Sequence, residues 1–226
     1  MTTVRTLAAL CLTLLAACTT TTAPSDDKGD GKKPDKPRNE DKEPDGVGSN
    51  LAASTRPNLQ WKRYGAFEND LAQALALPAE ELCSEFGREP CIRGVHLASL
   101  GGNDPFKHGL LEPSAEPLAV TPAVVDRVLL SACAKRVALD AEAGKGDAKV
   151  FGALDLAGKA PAPTDPAVEK AVTTLYRRLH ARDPEPSEVT AVAELTRDDD
   201  GKAVAASEFA TLACFTVGTS AEFLFF

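Results

Sequence analysis

From residue 58 onward, prolines and glycines divide the chain into short segments in which apolar residues recur every three or four positions. A stripe of that period buries one face of a helix. Leu59, Tyr64, Phe67, Leu71, Ala74 and Leu75 predict an amphipathic helix from Asn58 to Ala76. Pro78 ahead of Glu80 and Glu81 predicts a short second helix, broken by Gly87, Pro90 and Gly94. Thr121-Pro122 reads as an N-cap followed by proline in the first turn, opening a helix to about Asp140 whose buried face is Val124, Val125, Val128, Leu129, Ala132 and Val137. Asp165 caps a helix through Leu179, Ser187 to Leu195 forms another, and a further one runs from about Ala203 to Val217. Thr219 or Ser220 caps a last turn that ends in Phe223, Phe225 and Phe226. No stretch alternates at period two for long. The expectation is an all-α domain, a disulfide-braced bundle of five to six helices with one long irregular loop near residues 94–120.

The segment before residue 58 has a different character. Residues 19–57 hold a run of four threonines, five prolines and closely interleaved charges, eight acidic and seven basic. Nothing periodic and apolar is present to offset ordering entropy, so residues 18–57 read as a spacer. Fully extended, it reaches on the order of 130 Å. The formal net charge of -8 therefore resides in residues 58–226. An acidic domain is a poor partner for phosphate backbones, and nucleic acid is excluded as the expected ligand.

Residues 1–17 carry one positive charge at Arg5 and then an eleven-residue apolar run from Leu7 to Ala17. That run is too short to cross ~30 Å of hydrocarbon, and it fits the hydrophobic region of a secretory signal. It ends in Leu15-Ala16-Ala17-Cys18, which resembles the bacterial lipobox. The resemblance implies cleavage before Cys18, acylation of its thiol and membrane anchoring through the acyl chains. Thr19 follows, rather than the aspartate associated with inner-membrane retention, which implies the outer membrane.

Cys11 leaves with the signal and Cys18 takes lipid, so Cys83, Cys91, Cys133 and Cys214 remain. An even number in an exported domain points to two disulfides, with three possible connectivities. Cys83–Cys91 around Gly87 and Cys133–Cys214 between two helices is the favoured pairing. The chain has no close C-x-x-C for zinc and no C-x-x-C-H for haem, and the loop at Gly101-Gly102-Asn103-Asp104 lacks a phosphate-cradling pattern. Asp198-Asp199-Asp200-Gly201 lacks the twelfth-position glutamate of a calcium loop, since Phe209 or Ser207 stands there. No G-x-S-x-G elbow is present. No metal or cofactor is expected. His96, Asp104, His108 and Glu112 on the long loop form the one candidate ligand cluster. Phe209, Leu212 and Phe215 sit at core spacing, which leaves Phe225 and Phe226 as a candidate partner contact.

Leu175-Tyr176-Arg177-Arg178-Leu179, then Asp183-Pro184-Glu185-Pro186-Ser187-Glu188, then Ser220-Ala221-Glu222-Phe223-Leu224 form a recognisable succession. Residues 167–226 resemble the C-terminal helical segment of planctomycete-type secreted cytochrome-associated proteins. The resemblance implies a helical bundle in an exported protein. It carries over no electron transfer, because the haem motif is missing. Together these readings lead to an outer-membrane lipoprotein acting as a non-enzymatic interaction module with a protein partner in the cell envelope. The alternative is an enzyme or ligand-binding protein built on the 94–120 loop.

Overall fold

Proline in the first turn starts four helices, where its missing N–H costs nothing and its fixed φ is already helical. The computed structural model describes residues 59–109, 111–114 and 116–226, so Cys18, the signal and the spacer lie outside the described residues. Chain order is α1 (Tyr64–Leu75), strands β1 (Ser84–Glu85) and β2 (Glu89–Pro90), α2 (Pro105–His108), α3 (Thr121–Ala143), α4 (Pro166–Leu179), α5 (Pro186–Ala193), α6 (Ala206–Gly218) and α7 (Ala221–Leu224). Short 3-10 turns lie at Ala79–Glu81, Ala98–Leu100 and Glu194–Thr196, and one π-turn at Cys91–Val95.

The longest helix, α3, packs along α6 more extensively than any other pair of elements. Close approach is permitted by Gly218, where a Cβ would stand 2.8 Å from Leu129 Cδ2. The Cys133–Cys214 disulfide crosses the same interface, closing a loop of 81 residues. Chain entropy alone assigns such a loop about 4–5 kcal/mol. α4 lies against α1, α5 and α6. Phe67, Phe151, Phe209 and Phe223 are the largest fully buried side chains, and the Phe67 and Phe223 rings meet edge to face at 6.2 Å. All six residues assigned to the buried face of α3 are buried.

Under this core sits a buried ion pair. Arg136 and Asp140, one turn apart on α3, meet at 2.8 Å with almost no exposure. Asp140 also accepts the backbone N–H groups of Lys149, Val150 and Phe151 at 2.8–2.9 Å. Both carboxylate oxygens are used twice, which fixes the chain leaving α3.

The structure corrects the sequence reading in several places. The fold is mostly helical but not strictly all-α, because β1 and β2 form a two-stranded antiparallel hairpin. α1 begins at Tyr64 rather than near Asn58. Residues 60–62 pair with the C-terminus instead, Lys62 N donating to Leu224 O at 2.7 Å and Phe226 N to Gln60 O at 2.8 Å. α6 begins at Ala206, since Ala203 and Ala205 form bridges with Arg197 and Lys159. Thr121 is not an N-cap: its hydroxyl accepts from Leu118 N and donates to Ser99 O, tying the long loop down. That loop is not irregular throughout, as it contains part of the π-turn, a 3-10 turn and α2. Leu212 is exposed, while Phe209 is buried and Phe215 half-buried.

Candidate functional site

The hairpin joins its short strands through a three-residue loop, Phe86 to Arg88, and is clamped at its base by the Cys83–Cys91 disulfide and the Cys91 N to Cys83 O hydrogen bond at 3.1 Å. The turn closes through Arg88 N to Glu85 O at 3.0 Å. Its two central residues, Phe86 and Gly87, both have positive φ, at 52° and 67°. Such turns favour Asn-Gly, because both positions lie in the left-handed region. A phenylalanine there costs roughly 1–2 kcal/mol of backbone strain, and Phe86 is 96% exposed. No packing contact of its ring offsets that cost.

Behind the turn, the carboxylate of Glu85 is buried. It accepts from His96 Nε2 at 3.0 Å and from Arg127 of α3. The His96 hydrogen bond, aided by Arg127, holds this carboxyl below the usual carboxylate range against the opposing effect of burial. A parallel pair stands beside it: buried Glu68 of α1 accepts from Arg93 Nε at 2.7 Å. In both pairs the carboxylate is inside, with 3–6% of its side chain exposed, and the arginine side chain is about 60% exposed. Cys83, Glu85 and Cys91 form the one cluster of metal-ligand geometry among the described residues. Its two sulfurs are bonded to each other, so it offers no thiolate and does not fit a metal.

A second surface lies where the two ends of the domain meet. The Trp61–Phe225 bridge brings Leu59, Trp61, Phe225 and Phe226 around a groove of about 500 Å³ that also reaches Pro117. Leu59 and Phe226 are two-thirds exposed. Gly101 and Gly102 serve this region: a Cβ at Gly101 would stand 2.7 Å from the Trp61 ring, and one at Gly102 2.3 Å from Leu97. Close packing, as well as the turn, therefore explains that glycine pair.

A third cluster joins α4 to α7. His180 Nε2 lies 2.9 Å from Ser220 Oγ and 3.2 Å from Val217 O. A carbonyl only accepts, so Nε2 carries a proton and cannot take one from the Ser220 hydroxyl. Glu222 is engaged by Arg182, which also binds Glu188. Ser220 is the N-cap of α7. The serine, histidine and glutamate thus clamp two helix ends and do not form a nucleophile–base pair.

The expected ligand cluster is not assembled around one point. His96 pairs with Glu85, Asp104 caps α2 by accepting from Phe106 N and Lys107 N at 3.1 Å, and Glu112 is exposed. His108 ends α2, and its side chain lies outside the described residues. The groove at the chain ends is not lined by His96, Asp104 or Glu112. Sequence reasoning missed Glu85, Glu68, Arg93 and Arg127, whose pairings span 11–42 residues. The one local signal was Gly87 between the paired cysteines. No helix among the described residues is long and apolar enough to cross a membrane. No family model, curated protein or solved structure matches the chain.

Proposed function

We propose that the chain is an outer-membrane lipoprotein, anchored through acylated Cys18, whose helical domain acts as a non-enzymatic interaction module in a cell-envelope complex. The observation that carries this reading is the groove lined by Leu59, Trp61, Phe225 and Phe226, with Arg63 and Glu116 also on its walls, which leaves Leu59 and Phe226 in solvent beside a well-filled core. The engagement of His96 by Glu85 and of Asp104 as a helix cap favours it over catalysis or ligand binding on the 94–120 loop, which needs convergent free groups in one cavity. Helices α4 to α7 occupy the segment that resembles the planctomycete-type proteins and contribute a frame, with no electron-transfer role.

Two experiments test the reading. Cys18→Ala releases the protein from outer membranes while its helical circular dichroism is unchanged; continued membrane association of that variant rejects the anchor. Phe226→Asp leaves the fold intact, because that ring is largely in solvent, and lowers recovery of the envelope partner after crosslinking in cells. Unchanged recovery removes the groove as the contact.

A further inference from the structure

We infer that the β1–β2 hairpin is a docking finger, which inserts Phe86 into an apolar pocket of a protein partner whose rim is acidic. The inference deepens the interaction-module reading and rests on it, adding the hairpin as a second contact beside the groove at the chain ends.

Three independent observations converge on the hairpin. First, Phe86 is both 96% exposed and held at φ 52°, a conformation that asparagine or glycine adopts without strain. The ring contributes nothing to the core that would compensate for the strained backbone, and strain of this kind concentrates at contact sites. Second, the hairpin is pre-organised. The Cys83–Cys91 disulfide closes its base, and Glu85, adjacent to Phe86, is fixed from behind by His96 and Arg127. A rigid aromatic anchor loses little freedom on binding, which is why such residues dominate interface energies. Third, the charge around the hairpin opposes that of the molecule. The domain carries the net charge of -8, yet Arg88, Arg93 and Arg127 have exposed side chains here. The carboxylates of Glu85 and Glu68 that pair with two of them are buried, so the surface sees the positive ends. Arg88 has no ion-pair partner among the described residues. Glu89 is the acid exposed on the hairpin itself.

An apolar tip next to the exposed Arg88, with Arg127 held on the neighbouring Glu85, matches a pocket with an acidic rim, and the rim sets orientation and encounter rate. A bilayer surface is the less fitting occupant: it gives a single ring no shaped pocket, and an anionic surface repels the rest of this acidic domain.

The test is a photocrosslink in cells with the full-length protein, carrying benzoylphenylalanine at position 86 and, as a control, at the exposed Glu142 position of α3. The expected result is one protein adduct from position 86 and none from position 142. Phe86→Asn and Arg88→Glu then each lower recovery of that same partner at least tenfold after general crosslinking. Phe86→Asn melts no lower than the parent, because it relieves the turn, and this separates contact from folding. Adducts to lipid alone, or to a second copy of the chain, overturn the inference. So does the absence of an adduct when general crosslinking still recovers a partner, a result that leaves the interaction module standing. If general crosslinking also recovers nothing, the module reading falls with it.

Discussion

Replacing Asp140 with asparagine tests the buried polar network under the core. The substitution keeps the shape and removes one charge and one acceptor. In the native chain, Oδ1 accepts from Lys149 N and Arg136 Nη2, both at 2.8 Å, and Oδ2 accepts from Val150 N and Phe151 N, both at 2.9 Å. An amide supplies one oxygen, so whichever way it is turned its NH₂ group faces two donors. Hydrogen bonds to a charged acceptor contribute about 1.5–3 kcal/mol each. With the NH₂ group in the Oδ1 place the Arg136 side chain, 7% exposed, keeps only the Leu75 and Ala76 carbonyls as partners; with it in the Oδ2 place Arg136 keeps a neutral acceptor in place of a charged one. Breaking one side of a buried pair costs about 3–5 kcal/mol, and we expect a loss in that range. For a domain of this size it corresponds to a fall in Tm of roughly 6–20 °C. The assay is urea unfolding followed by far-UV circular dichroism, with disulfides intact. The Arg136→Met/Asp140→Asn double variant should lose less than the sum of the single losses, since it strands no charge. A loss under about 1 kcal/mol for Asp140→Asn, with an unchanged urea slope, refutes the network as a stabilising element.

Three further outcomes follow from the same contacts. Cys133→Ala/Cys214→Ala should cost about 4–5 kcal/mol and Cys83→Ala/Cys91→Ala about 2–3, in the order of loops of 81 and 8 residues; urea midpoints in the reverse order contradict this. Gly218→Ala pushes a methyl against Leu129 and should cost about 1–3 kcal/mol, whereas no change in urea midpoint shows that the Leu129 side chain yields and that the contact is not tightly packed. Burial pushes His180 below its ordinary value of 6.5, against the opposing pull of Glu222. Its unfolded form therefore takes up a proton first, and stability is full above about pH 6.5 and falls below it. Glu188 is held at about 2, chiefly by Arg182, so its contribution is present above about pH 4.5 and fades toward pH 2. Tm measured from pH 8 to 4.5 should decline below 6.5 in the parent and less steeply in His180→Gln; parallel profiles refute the assignment.

What could be read from the sequence was what neighbouring residues decide. The Val124-to-Val137 face of α3 and the Asp165 cap of α4 follow from spacing and capping, and the structure contains both. The hairpin has strands of two residues, too short for alternation to register, and its turn uses Phe-Gly rather than a familiar pair. Residues 60–62 and 203–205 look helical in isolation but are claimed by distant backbone, Leu224 and Phe226 in one case and Ala160 and Thr196 in the other. Burial of Glu85 depends on Arg127, 42 residues away, and no local pattern announces it. For the candidate sites, the aromatic C-terminus was legible as an exposed feature, and Phe226 is exposed. The loop cluster was not legible: Asp104 is a cap, and His96 is taken by a carboxylate that sequence spacing gives no reason to bury.

The proposed function has this domain hold a partner at the outer membrane. The most direct measurement is crosslinking in cells, purification of the tagged protein from detergent-extracted outer membrane, and quantitative mass spectrometry of what accompanies it. A stoichiometric envelope protein, retained with the parent and lost when Phe226 or Phe86 is replaced, is the predicted result. Recovery of the protein alone, under conditions in which known envelope complexes stay intact, contradicts this reading.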